Sequence, residues 1–364
     1  MDRLRQLYDE FGQSPWLDNL KRGYLTSGEL AVLRDRGIRG LTSNPTIFQK
    51  AIQGSSDYDE QFRDLVAGGG SIVDDYWALV TRDIRGALDV FEPVWTGSDG
   101  SDGFVSVEVA PHLARDTDGT TIAARQLHTS IRRPNLMVKI PGTAEGIGSI
   151  RQMISEGRNI NVTLIFSLAR HGEVIEAYLS GLEGYDGDLS KVASVASFFI
   201  SRVDTEVDRR LEAIGTTDAL ALRGKAAIAQ GKLAYKLFTE KFSGPRWDAL
   251  AARGAQKQRP LWASTSTKNP NYPDTMYVNE LIGPDTVDTL PDATIEAFVD
   301  HGTLARTVDR DVEAAEATWA ALERVGIDMN DVARHLEDEG VASFEKSFGE
   351  LLTSLQSKAA ELRH

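Results

Sequence analysis

Lys139 is the only one of the twelve lysines in this 364-residue chain that lies inside a compact strand pattern, Leu136-Met137-Val138-Lys139-Ile140-Pro141. An ammonium buried in such a run is stripped of water, which favours the neutral amine. A neutral amine is the nucleophile that Schiff-base chemistry with a ketone requires. The competing reading is an edge-strand lysine that points to solvent. Glu108 ends a second run, Val105-Ser106-Val107-Glu108-Val109. Ser106 and Glu108 share one face of it and the three valines share the other. In a closed barrel the first face lines the lumen, where a carboxylate needs a partner and a lumenal lysine supplies one. A purely structural ion pair would use the same two residues.

Other polar residues interrupt or end β-rich runs. Asp18 follows Ser14-Pro15-Trp16-Leu17 and fits either an acid/base role or the cap of a following helix. Asn44 precedes Pro45, a good first residue for a helix, so capping is again a sufficient explanation. Asn161 and Thr163 alternate on one face of 160–166, and a buried amide there must find partners. Arg202 follows Ser197-Phe198-Phe199-Ile200-Ser201 and suits a phosphate, unless it pairs with Asp204 or Glu206. Ser264-Thr265-Ser266-Thr267-Lys268 offers hydroxyls and a cation after a later strand, or forms a plain polar turn.

Several chemistries are missing. The chain has no cysteine, which removes thiolate nucleophiles, disulfides and Cys-ligated metals. Its six histidines form no His-x-His or His-Glu-x-x-His pattern, and no Gly-x-Ser-x-Gly elbow occurs. The net charge of −14, with no basic block, argues against nucleic acid or an anionic membrane as partner. The start, MDRLRQLYDEFGQ, has no apolar core of a leader peptide, and no run approaches the ~18 apolar residues of a membrane span. A cytoplasmic protein is expected.

The elements that must position these residues alternate in type. Strand patterns occupy 14–18, 38–42, 103–109, 135–141, 160–166, 192–200, 260–265 and 286–289. Helical periodicity fills 71–91, 119–131, 145–156, 168–180, 204–212 and 218–241. About eight strands in this alternation predict an α/β fold, a single (β/α)₈ TIM barrel over 1–364. An open dinucleotide-binding sheet would need a Gly-x-Gly-x-x-Gly turn that is absent. The segment from about 304 to 363 reads as helical throughout. Its apolar stripe of Phe344, Phe348, Leu351, Leu352, Leu355, Ala359 and Leu362 is expected to dock on the barrel. The polar stretch 97–103 reads as a solvated turn, since it has too few carboxylates for a calcium loop.

In order along the chain, Thr42-Ser43-Asn44-Pro45, Ser106-Val107-Glu108-Val109, Lys139-Ile140-Pro141-Gly142-Thr143 with Gly146 and Ile147, Asn161-Val162-Thr163-Leu164-Ile165-Phe166-Ser167, Ser197-Phe198-Phe199-Ile200-Ser201-Arg202, Trp262-Ala263-Ser264 and Thr289-Leu290-Pro291 resemble the transaldolase family. The resemblance runs from residue 14 to about 294. The chain length and the Ala263-to-Lys268 form are similar to the longer, actinobacterial-type members.

The resemblance implies a barrel with neither cofactor nor metal and sugar phosphates as partners, and it leaves a homodimer open. It implies Lys139 as the Schiff-base lysine and Asp18 as the acid/base for carbon–carbon cleavage. Glu108 would act through a water that Thr163 helps to hold. Asn44, Asn161 and Ser197 would bind the dihydroxyacetone unit, with Thr42 and Ser106 beside them. Arg202, Ser264 and Lys268 would take the phosphate. Shorter members carry a second phosphate-binding arginine where this chain has Ser266, so either Lys268 substitutes or Arg202 carries the phosphate.

Overall fold

A computed structural model describes residues 2–362 and shows eight parallel strands closed in sequence order into a barrel. The strands are β1 (Gln13–Leu17), β2 (Leu41–Thr42), β3 (Val105–Glu108), β4 (Leu136–Pro141), β5 (Ile160–Ile165), β6 (Ser194–Phe199), β7 (Arg259–Ala263) and β8 (Thr286–Leu290). Helices connect them, as parallel strands require, because only a crossover returns the chain to the starting edge of the sheet. All eight predicted strands are present, although β2 is only two residues of the expected 38–42. Every strand residue except Arg259 is buried, so the inner and outer faces alternate without a solvent-facing side.

Register decides which polar residues meet. Glu108 lies beside Lys139, and Lys139 beside Asn161, so three neighbouring strands put one side chain each at a single level of the lumen. Between Val162 and Ile165 the β5–β6 register shifts, and Leu164 sits in the left-handed region with φ 59°. A non-glycine residue held there is strained, and such bulges re-aim neighbouring side chains.

Three helical expectations need correction. The 218–241 stretch is two helices, Thr217–Leu220 and Ala226–Lys241, with the chain turning between them at Gly224, φ 69°. The tail is not helical throughout. Residues 302–311 are irregular, and a turn at 325–328 separates Val312–Arg324 from Met329–Leu362. Arg363 lies outside the described residues. Phe344, Phe348, Leu351, Leu355 and Ala359 of the expected stripe are buried, whereas Leu352 is half-buried and Leu362 exposed.

The 97–103 stretch is not simply a solvated turn, because Asp102 is 1% exposed. Its carboxylate closes the N-terminal end of the barrel. It accepts hydrogen bonds from Ser14 Oγ, from Trp16 Nε1 at 2.9 Å and from Arg39 Nε at 2.7 Å, with Arg259 Nη2 at 3.5 Å. Burial alone would raise its pKa, but Arg259 and Arg39 outweigh burial and hold it below the usual carboxylate range. A carboxyl with a depressed folded pKa contributes stability above its unfolded pKa of ~3.9, and that contribution is lost as pH falls through the folded value. Asp102→Asn is therefore expected to lower unfolding stability by about 3 kcal/mol at pH 7, the low end for breaking a buried pair because both arginines reach solvent. In urea titrations the gap between variant and parent should narrow as pH drops below ~4. A gap unchanged at acid pH would mean the carboxylate charge is not what stabilises this end.

Candidate active site

At the C-terminal end of the strands lies a cleft of about 320 Å³. Asp18, Thr42, Asn44, Lys139, Thr163, Ser197, Arg202, Ser264 and Lys268 all line it, drawn from six different strands or the segments that follow them. A roomier groove of about 690 Å³ opens outside the barrel near Trp77 and Leu127, but its lining contains no lysine, histidine or carboxylate. The reactive groups converge in the smaller cleft.

Lys139 is 5% exposed, so the solvent-facing alternative does not hold. Its Nζ donates to the Ser43 carbonyl at 3.0 Å and lies 3.3 Å from Glu108 Oε2. Ser43 is itself fixed, its Oγ donating to the Ser106 carbonyl at 2.7 Å. Glu108 is also 5% exposed, and burial raises its pKa although Lys139 opposes the shift. Apart from the Lys139 contact, the Glu108 carboxylate oxygens have no hydrogen bond among the described residues, and Thr163 Oγ1 has no partner among them either. Unpaired buried polar atoms of this kind are exceptional in a folded interior and mark a place suited to a water or a ligand.

Asp18 does not cap a helix; the residue at the start of the next helix, Arg22–Thr26, is Lys21. Its Oδ1 accepts from Thr42 Oγ1 at 2.8 Å, and Thr42 Oγ1 is 2.6 Å from Thr289 Oγ1 of β8. Burial raises the Asp18 pKa, opposed by the positive charge of Lys139 and by the Thr42 hydroxyl. Two carboxyls that burial pushes toward the protonated form thus lie near one buried amine, Glu108 in contact with it and Asp18 on the same cleft, the arrangement from which acid/base pairs are built.

Asn44 does cap the helix Pro45–Gln53, its Oδ1 accepting from Ile47 N at 2.9 Å, and it also lines the cleft. Capping uses the oxygen and leaves the amide NH₂ for a ligand. Asn161 and Ser106 lie below the cleft surface. Asn161 Nδ2 donates to Ser106 Oγ at 3.0 Å and Ser197 Oγ donates to Asn161 Oδ1 at 2.7 Å. Ser106 therefore holds Asn161 in place and does not itself line the cleft.

The cationic end of the cleft is also defined. Arg202 opens the helix Ser201–Ile214 and stacks on Phe199, its Cζ 5.2 Å from the ring centre. The two carboxylates offered as alternatives are occupied elsewhere, Asp204 by Tyr277 and Glu206 by Arg209 and Arg210. Burial lowers the pKa of Arg202, and burial followed by the repulsion of Arg202 lowers that of Lys268. Two cations that disfavour one another in a partly dry cleft, with no carboxylate bonded to either among the described residues, suit an anion. Among those residues, no group of three or more His, Asp or Glu side chains is arranged to hold a metal ion. No helix among them is long and apolar enough to cross a membrane.

Sequence reading missed part of the wall. Thr289, Lys50, and Ser343 with Phe344 from the C-terminal helix also line the cleft. That helix crosses close above β5. A Cβ at Gly340 would come 2.9 Å from Leu164 Cδ2 and 3.6 Å from Arg202 Nη1. Thr289 could have been found from its threonine at a strand end. The position of Gly340 carries no local signal.

A sequence profile of the family described as Transaldolase/Fructose-6-phosphate aldolase matches residues 15–355. A protein named transaldolase from Acidothermus cellulolyticus is 51% identical over 351 residues, 94% of each chain. One from Thermobifida fusca is 51% identical over 362 residues, 98% of each chain. One from Mycolicibacterium smegmatis is 48% identical over 354 residues, 95% of each.

Proposed function

The chain belongs to the transaldolase/fructose-6-phosphate aldolase family as a transaldolase-type enzyme, and from that premise we propose that it moves a dihydroxyacetone unit between sugar phosphates through a Schiff base on Lys139. The donor is a ketose phosphate, sedoheptulose 7-phosphate or fructose 6-phosphate. The acceptor is an aldose phosphate, glyceraldehyde 3-phosphate or erythrose 4-phosphate, as in the non-oxidative pentose phosphate pathway. The observation that carries this reading is the buried Lys139 amine, 3.3 Å from Glu108 Oε2, in the cleft that Asp18 also lines.

The neutral Lys139 amine adds to the ketone carbon to form a carbinolamine. Glu108, through a water shared with Thr163, moves the protons that let hydroxide depart as water and leave an iminium. The Glu108 carboxylate, which meets only Lys139 among the described residues, and the Thr163 hydroxyl, unpartnered among them, support this role. Asp18 then takes the proton of the hydroxyl next to the bond that breaks. The electron pair of that carbon–carbon bond flows into the iminium and gives an enamine, while the shortened aldose leaves. The enamine attacks the acceptor aldehyde, Asp18 returns the proton to the new alkoxide, and hydrolysis frees Lys139. Asn44 and Asn161 hydrogen-bond the dihydroxyacetone unit, with Ser197 beside it. Arg202, Ser264 and Lys268 hold the phosphate. The C-terminal helix over the cleft limits access of water to the enamine, which stray protonation would destroy.

The test separates transfer from simple cleavage. With fructose 6-phosphate and erythrose 4-phosphate together, the products should be sedoheptulose 7-phosphate and glyceraldehyde 3-phosphate. Without an acceptor, free dihydroxyacetone should not accumulate beyond one equivalent of enzyme. Steady release of dihydroxyacetone at the same rate without an acceptor would instead make the chain an aldolase of the same Schiff-base chemistry.

A further inference from the structure

The turn that carries Ser264 and Lys268 is anchored away from the cleft by three hydroxyl-to-carboxylate contacts. Thr265 Oγ1 donates to Asp288 Oδ1 at 2.9 Å, Tyr272 OH to Asp208 Oδ2, and Tyr277 OH to Asp204 Oδ2 at 2.8 Å. Asp204 and Asp208 lie one helical turn apart on one face of Ser201–Ile214, the helix whose first turn bears Arg202. Each has a second bond that fixes it. Asp204 Oδ1 accepts from Ala227 N at 2.7 Å and Asp208 Oδ1 from Gly224 N at 2.9 Å. Both carboxylates are buried, as is Tyr277, and Tyr272 packs over Gly224, where a Cβ would meet its ring at 2.8 Å.

The near end of the turn is bonded to the same helix. Ser264 O accepts from Ser201 N at 3.0 Å, and the two Oγ atoms are 2.9 Å apart. Ser264 itself is in the left-handed region, φ 57°. A serine stays there only when its surroundings over-determine it. We propose that Tyr272 and Tyr277, gripped by Asp208 and Asp204, are positioning residues that clamp the Ser264–Lys268 turn to the helix carrying Arg202 and so set the preference for phosphorylated donors. The proposal rests on the reading of Arg202 and Lys268 as the phosphate site. Neither tyrosine lines the cleft. Their hydroxyls act on substrate only through the placement of Ser264 and Lys268 against Arg202.

Tyr272→Phe, Tyr277→Phe and the double variant keep the rings and remove only the hydroxyls. Steady-state kinetics with fructose 6-phosphate and with unphosphorylated fructose as donors test the clamp. Each single variant should raise KM for fructose 6-phosphate by roughly three- to tenfold, the fold-change of one hydrogen bond. kcat should be held, and kcat/KM for fructose should stay within about twofold of the parent. Equal losses on both donors, or no change on either, overturn the clamp. Arg202→Ala is the reference arm. If it raises KM for the phosphorylated donor while the tyrosine variants do not, the clamp fails and the phosphate site stands. If Arg202→Ala also spares that KM, the phosphate reading fails and takes the clamp with it. Should Tyr277→Phe destabilise the fold, the half-buried Tyr272→Phe gives the same comparison.

Discussion

Lys139→Arg is expected to abolish both turnover and covalent labelling while leaving the fold intact. In the parent protein, incubation with fructose 6-phosphate and borohydride should inactivate the enzyme and add one reduced dihydroxyacetone unit to the peptide containing Lys139. The chain has twelve lysines, so the site of labelling is informative. Lys139 differs from a surface lysine in being 5% exposed, with its Nζ held between the Ser43 carbonyl and Glu108. Arginine keeps the charge that Glu108 pairs with, so the variant should not leave a lone buried carboxylate. A guanidinium cannot lose its proton in this pH range and so cannot attack a ketone. Loss of a nucleophile typically costs about 10⁴-fold or more in kcat. EDTA should leave the parent's activity unchanged, because in the proposed mechanism the iminium is the electron sink. Labelling of another lysine, or substantial activity in Lys139→Arg, would overturn the mechanism.

Asp18→Ala should behave differently, because it fails at a later step. Its donor adduct should form and accumulate, trapped by borohydride at close to parental yield, while kcat falls by ~10²–10⁴-fold, the usual worth of general acid–base assistance. Glu108→Ala should instead slow the appearance of the adduct. The pH profile offers a second measurement. In the proposed mechanism Asp18 must be ionised to take the hydroxyl proton, and burial raises its pKa against the opposing pull of Lys139 and Thr42. Activity should therefore fail on acidification at a higher pH than the ~3.9 of a free aspartate. If adduct formation and cleavage are lost together in Asp18→Ala, the carboxylate serves imine formation and the assignment of steps is wrong. Near-parental turnover would remove it from the chemistry altogether.

The sequence by itself determined the number and order of the strands. Their short β-rich runs alternate with helical periodicity, and that alternation admits a parallel sheet and little else. It also marked the polar residues at strand ends, because a lysine or carboxylate inside an apolar run is costly unless something answers it. Lys139, Glu108, Asp18 and Arg202 were legible for that reason. What Asn44 does was half legible. The cap follows from Asn-Pro alone, whereas its place on the cleft depends on barrel closure.

Only the tertiary structure decided the remainder, because those contacts join residues remote in sequence. Thr42 meets Thr289 across 247 positions as β1 closes on β8. Asp102, in a stretch that reads as a solvated turn, closes the barrel floor because Arg39 and Arg259 arrive from other elements. The bulge at Leu164 breaks no sequence pattern, since a leucine in an apolar run reads as ordinary strand whether or not packing forces its φ positive. The C-terminal helix reads as a docking stripe, but that Ser343 and Phe344 roof the cleft depends on how closely Gly340 lets it approach β5. Periodicity records which face of an element is buried. What that face is buried against is set by the packing of the whole chain.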